Sequence, residues 1–319
     1  MSVATPIRPR ALRPGDTVAV VAPSSPAGAT RLDHGAGLLR DWGFDVRLLP
    51  STRTGRGYLA GESAEAVAAE LSACFADPSV HGILCARGGY GAMHLLPYLD
   101  WEAIRANPKP FCGYSDITAL HLAIRREAGF VTFHGSMVQR QGEEPELHHW
   151  SAAGLRAALT ATTPLGTIAS PEDGPRTATV VPGVASGPLV GGNLTLVAAL
   201  TGTRWQLDAR DCVLLLEDTD EAPYRVDRML TQLLLAGIFD GVRGMLFGDS
   251  PTCEAPDGDS RSFPLTTVLH ERLAPLGIPV LYGFPCGHTP WRATLPLGIP
   301  VTLDADAGTV AVLEPACVP

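Results

Sequence analysis

Five short apolar runs in the first half of the chain are separated by stretches of helical periodicity. They lie at residues 17–22 (TVAVVA), 44–49 (FDVRLL), 82–86 (GILCA), 110–113 (PFCG) and 131–133 (VTF). The helical stretches fall around residues 31–42, 63–77 and 116–128, and in the second Val67, Leu71 and Phe75 recur at one-turn intervals behind Ser63 and Glu65. Alternation of strand and helix predicts a parallel sheet with helices on both faces, a Rossmann-like α/β domain. In such sheets the working residues stand in loops after the strand C-termini. Pro23-Ser24-Ser25, Arg87-Gly88-Gly89 and Ser115 all fall there.

Residues 141–185 change character, first polar (QGEEPELHHW), then rich in proline, glycine and charge, which predicts a linker over 162–185. A second unit follows. Its expected elements are a glycine-rich turn and helix over 187–203, a strand at 212–217, an amphipathic helix over 224–237, and strands at 244–249 and 278–283. Two more strands are expected near IPVTL and TVAVL. The expected organisation is therefore an N-terminal Rossmann-like domain over 1–161, a linker over 162–185, and a smaller α/β domain over 186–319.

The chain has 319 residues, formal charge −9, and no apolar run near the ~20 residues of a spanning helix, so neither membrane nor nucleic acid is an expected partner. The apolar stretch after the first arginines is short and runs into Pro23-Ser24-Ser25, unlike the core of a secretory signal. Seven scattered cysteines contain no CxxC pair, which suggests neither a disulfide framework nor a zinc cage. Cytoplasmic location, with no metal and no cofactor, is the expectation.

Three residues carry candidate chemistry. Ser115 in FCGYSDITALH sits between a strand and a helix, where a serine is either a plain N-cap or a nucleophile. Glu217 ends the strand-like VLLLE and opens an acidic loop. His288 lies in GFPCGHTPWRATLPLG just past a strand. A serine nucleophile needs a base, and the base needs a carboxylate to hold its tautomer. The bland readings are a solvated Glu217 and a structural His288. His121 and His134 compete as bases near Ser115. His148-His149, being adjacent, make a poor metal pair, and the acids of 217–221 lack the ligand spacing of a calcium loop. ARGGYGAMHLL (86–96) has neither GxGxxG nor GK[ST]; its glycines suit backbone amides that approach a reacting centre.

RGGYG, GYSDITALH followed by VTFHG, GPLVGGNLTLVAALTGT, LLLEDTDEAPYRVDRMLTQLLLAGIFDG and GH…TLPLG occur in order over nearly the whole chain. Together they resemble the LD-carboxypeptidase family of serine peptidases, family S66. The resemblance implies a cytoplasmic, metal-free serine carboxypeptidase, usually a homodimer, with Ser115 as nucleophile, Glu217 as acid and His288 as base. It implies an oxyanion hole from the backbone amides of Gly89 and Asp116. The implied substrate is a small murein tetrapeptide from which terminal D-alanine is released. A same-family immunity enzyme cleaving peptidyl or aminoacyl nucleotides is the rival reading. A rival of another class is a two-domain small-molecule binding protein without chemistry. Trp291-Arg292, between GH and TLPLG, departs from the family pattern.

Overall fold

The computed structural model describes residues 6–139, 147–256 and 260–319. Residues 141–146 of the polar stretch lie outside them. Backbone contacts divide the chain into two units: residues 1–163, 294–298 and 315–319 form the first, and residues 164–293 and 299–314 the second.

The first unit is built on β1 (Thr17–Val21), β2 (Asp45–Leu48), a small hairpin β3 (Gly55–Arg56) and β4 (Leu59–Ala60), then β5 (Gly82–Cys85), β6 (Phe111–Gly113) and β7 (Thr132–His134). Omitting the hairpin, the principal strands lie in the order β2-β1-β5-β6-β7, all parallel, and Leu295–Leu297 adds an antiparallel edge strand beside β7. This is the doubly wound order 2-1-3-4-5. The direction of strand addition reverses between β1 and β5, so a crevice opens outside their carboxyl ends. Those ends are the loops at Pro23-Ser24-Ser25 and Arg87-Gly88-Gly89. The strands read as apolar runs because they are covered on both faces: every residue of β5, β6 and β7 is buried. Helices Ala29–Asp41, Ala64–Ala76 and Thr118–Glu127 match the three periodic stretches, and Ser63 caps the second by accepting from Ala66 N–H at 3.2 Å.

The second unit holds β8 (Gly166–Ala169), β9 (Ala178–Val181), β10 (Val184–Asn193), β11 (Val213–Glu217), β12 (Gly244–Gly248) and β13 (Val280–Phe284). With Leu295–Leu297 counted as β14, β15 (Pro300–Asp304) and β16 (Thr309–Val312) complete it. The order is β8-β16-β15-β10-β11-β12-β13-β9, with a parallel centre from β10 to β13 and antiparallel flanks. The stretch 162–185 thus contains two strands paired into this sheet. GPLVGGN, expected as a turn entering a helix, makes up the last seven residues of the ten-residue β10, and the helix is only Leu194–Leu200. Its glycines give β10 a turn-like composition, yet it is a central strand paired on both sides. Helix Pro223–Leu235 buries Val226, Leu230 and Leu233, while Asp227 is held by Arg272 of helix Leu265–Leu273 at 2.5 Å. Among the described residues no helix is long and apolar enough to cross a membrane.

Candidate active site

Ser115 follows β6 after the single residue Tyr114 and opens a single turn of 3-10 helix, Ser115–Ile117, that leads into helix Thr118–Glu127. Its φ is +64°, the left-handed region that a serine rarely occupies. A plain N-cap keeps extended dihedrals and accepts from the next turn; Ser115 does neither, for the structure gives this helix no side-chain cap bond. A sharp strand-to-helix turn of this kind thrusts a serine hydroxyl outward, as nucleophile elbows do. Buried Tyr114 and Asp116 anchor the turn on either side.

The glycine loop packs against this serine. A Cβ added at Gly88 would lie 2.8 Å from Ser115 Cβ and 2.9 Å from its Oγ, so only glycine permits the approach. Gly89 has φ +114°, and a Cβ there would collide with Ser25 Oγ. The loop is held from two sides: Ser25 Oγ accepts from Tyr90 N–H at 3.1 Å, and Asp116 Oδ2 accepts from Ala92 N–H at 2.8 Å. Burial pushes the Asp116 carboxyl up from its ordinary value, while the Ser24 hydroxyl and the Ala92 amide draw it back. Gly88, Gly89, Ser115 and Asp116 therefore form one cluster at the carboxyl edge of the first sheet.

The rival histidines are otherwise engaged. His121 is buried, with Nε2 at 2.9 Å from the Gly113 carbonyl and Nδ1 at 2.9 Å from Thr132 Oγ1, and burial pushes its pKa down to about 3. It stays neutral and fastens β6 to β7. His134 is fully buried with its ring edge-on to Tyr114, centroids 6.0 Å apart.

In the second unit Glu217 is the last residue of β11, and His288 follows β13. Their separation of 71 residues closes to one contact, His288 Nδ1 to Glu217 Oε2 at 2.7 Å. The Glu217 side chain is wholly buried and that of His288 is 7% exposed. A carboxylate only accepts, so Nδ1–H donates and Nε2 is the nitrogen left to take up a proton. Gly287 makes the pairing possible: at φ +84° its bare Cα faces Glu217, and a Cβ would collide with Oε2.

The neighbouring acid, which the sequence offers only as one of the acids of 217–221, is structural. Asp218 Oδ1 accepts from Asn193 Nδ2 at 2.9 Å, and Oδ2 from Thr195 N–H at 3.0 Å and Thr195 Oγ–H at 2.8 Å. Burial, then the adjacent Glu217, raises its pKa to about 6. The first two acids of the 217–221 cluster thus face protein donors and are poorly disposed as metal ligands. Asn193 and Asp218 close a strand end onto a helix start, a link the sequence signals only through the helix-capping habit of Asn193. The structure therefore brings Glu217 and His288 together in one unit, and Ser115, Gly89 and Asp116 together in the other.

Two family models match the chain. The LD-carboxypeptidase N-terminal domain model matches residues 18–135, and the LD-carboxypeptidase C-terminal domain model matches residues 186–303. A protein of Streptomyces coelicolor that carries a carboxypeptidase name is 43% identical over 97% of both chains. The probable murein peptide carboxypeptidase of Bacillus subtilis is 38% identical over 96% of this chain and 94% of its own. Among solved structures, that of MccF in complex with glutamyl sulfamoyl guanosine superposes with a TM-score of 0.89 at 27% identity, covering 98% of this chain and all of the other.

Proposed function

This chain belongs to the LD-carboxypeptidase family and is a serine-type carboxypeptidase hydrolase; from that premise we propose that it releases terminal D-alanine from murein tetrapeptides in the cytoplasm, as a homodimer. Ser115 is the proposed nucleophile, His288 the base and Glu217 the acid that orients it. The observation that carries this reading is the bond at 2.7 Å between an imidazole and a wholly buried carboxylate, the carboxylate ending β11 and the imidazole standing in the loop after β13. A carboxylate in that place fixes the tautomer and stabilises the imidazolium formed when the serine proton arrives. Ser115 Oγ attacks the scissile carbonyl, whose oxygen develops negative charge toward the amides of Gly89 and Asp116. His288 then gives the proton to the departing amine of D-alanine, and water, activated by the same imidazole, releases the tripeptide from the serine ester.

The substrate class is supported by identity to the murein peptide carboxypeptidase, 38% over nearly the whole chain. A second reading is favoured by the likeness to MccF, a microcin C7 self-immunity protein seen with an acyl sulfamoyl nucleoside: the substrate would be a peptidyl or aminoacyl nucleotide. Three compounds offered in parallel separate them, with products read by mass: a tetrapeptide ending in D-alanine on the L-centre of a diamino acid, its L-alanine twin, and an aminoacyl sulfamoyl adenosine. We expect the D-ended peptide to yield tripeptide and D-alanine, and the L-ended twin to react at least about 100-fold more slowly, since only one hand sets the carbonyl correctly over the serine. Cleavage of the sulfamoyl compound with the D-ended peptide untouched would exchange the two readings.

A further inference from the structure

Arg292, four residues after His288, is only 7% exposed. Arginine is almost never so buried without partners. Here Nε donates to the Gly287 carbonyl at 2.6 Å and Nη2 donates to the Thr289 carbonyl at 2.9 Å. These are the two carbonyls that flank His288. The segment from Cys286 to Thr294 contains no helix or strand, so no regular backbone ladder holds it. Its ends are tied where Ala293 N–H donates to the Pro285 carbonyl at 2.7 Å. Inside the closed loop the planar guanidinium spans both carbonyls at a separation set by its own covalent geometry, which a lysine ammonium cannot do. On the far side, Gly287 abuts the Glu217 carboxylate.

We infer that Arg292 is a positioning residue, which clamps the backbone on either side of His288 and so fixes the imidazole with Nδ1 on Glu217 and Nε2 presented for proton transfer. The inference rests on the reading of His288 as the base. A misplacement of about 1 Å in a catalytic group costs on the order of 100-fold in rate, and the guanidinium bonds hold the backbone immediately on both sides of His288. Because Arg292 acts through His288, its loss acts on the chemical step and spares substrate binding.

The test uses the full chain with Arg292→Ala, Arg292→Lys and His288→Ala, and the D-ended tetrapeptide as substrate. For Arg292→Ala we expect kcat to fall about 100-fold with KM changed less than about threefold. Added guanidinium ion restores at least tenfold of the loss, and it does nothing for His288→Ala. Arg292→Lys, with one point charge for two carbonyls, retains the fold and loses at least tenfold in kcat. In protein labelled with 15N-histidine, the downfield Nδ1–H proton of His288 is seen in the wild type and broadens away in both Arg292 variants. A kcat within threefold of wild type in Arg292→Lys, or an unchanged downfield proton in either variant, overturns the inference. Should Arg292→Ala fail to fold, the lysine variant decides alone. Should His288→Ala keep full activity, the catalytic reading itself falls, an outcome distinct from an inactive His288→Ala beside a fully active Arg292→Lys.

Discussion

Ser115 shares its positive φ with two other non-glycine residues among those described, Asp211 and Asp220. A serine held there costs on the order of 1 kcal/mol, and helix capping does not ask for that geometry. The cost is borne because Tyr114 and Asp116 are buried on either side and leave the residue between them no alternative. If Ser115 is the proposed nucleophile, strain held at its turn predicts a trade between stability and activity. Ser115→Gly should relax the turn and raise the unfolding free energy by up to about 1 kcal/mol, while turnover disappears. Ser115→Ala keeps the strained backbone, so its melting should match wild type while turnover is equally lost. Denaturant titration and product release on the three proteins check both halves. Retention of more than about a tenth of the rate in either variant would remove Ser115 from the nucleophile role, and a glycine variant no more stable than wild type would show the turn unstrained.

At the scale of elements, the loops proposed to carry chemistry are fastened by side chains to the ends of strands, and one fastening titrates. Asp218 joins the end of β10, the start of helix Leu194–Leu200 and the end of β11. Its pKa is raised to about 6 from an ordinary 3.8. The native state thus holds this proton more tightly than the unfolded chain. The stability conferred is present below about pH 4 and is lost as pH rises through about 6. Asp227, lowered first by its hydrogen bond to Arg272, has the opposite sign and loses stability as pH falls. The carboxyl 13C resonance of Asp218 should titrate with a midpoint near 6, and Asp218→Asn should lack the matching fall in unfolding free energy; a midpoint near 4 would refute the shift. None of this was legible beforehand, for an acid beside Glu217 reads as a solvated loop. Strands buried throughout, such as β11 and β12, were legible as apolar runs. By contrast β8 and β9, with half of their residues exposed and a surrounding wealth of Pro, Gly and Thr, read as a linker. Glu217 and His288 were candidates by their strand-end positions and chemistry, and the family motifs strengthened the pairing, because local patterns carry no trace of a contact 71 residues away. The left-handed turn at Ser115 was hidden for a related reason: a serine discloses its φ only through the packing around it.

At the scale of the whole molecule, the two units are interleaved along the chain. The first takes back residues 294–298 and 315–319 after the second has been built. These returns are structural members. Leu295–Leu297 pairs with β7 along its whole length, Leu295 opposite His134 and Leu297 opposite Thr132. Near the end of the chain, Val318 N–H donates to the Pro9 carbonyl at 2.9 Å, and Ala11 N–H donates to the Val318 carbonyl at 2.8 Å. Cutting after residue 163 would leave β7, an apolar strand buried throughout, as an open edge with unpaired amides and carbonyls. Such an edge is a template for pairing with other chains. A fragment of residues 1–163 should therefore aggregate, or unfold at least 10 °C below the full chain, although it carries all of β1 to β7. Supplying residues 294–319 behind a short glycine-serine linker should restore a cooperative thermal transition, because it returns both the edge strand and the terminal pairing. A fragment 1–163 that is monomeric and melts with the full chain would show the first sheet complete without its returning strand.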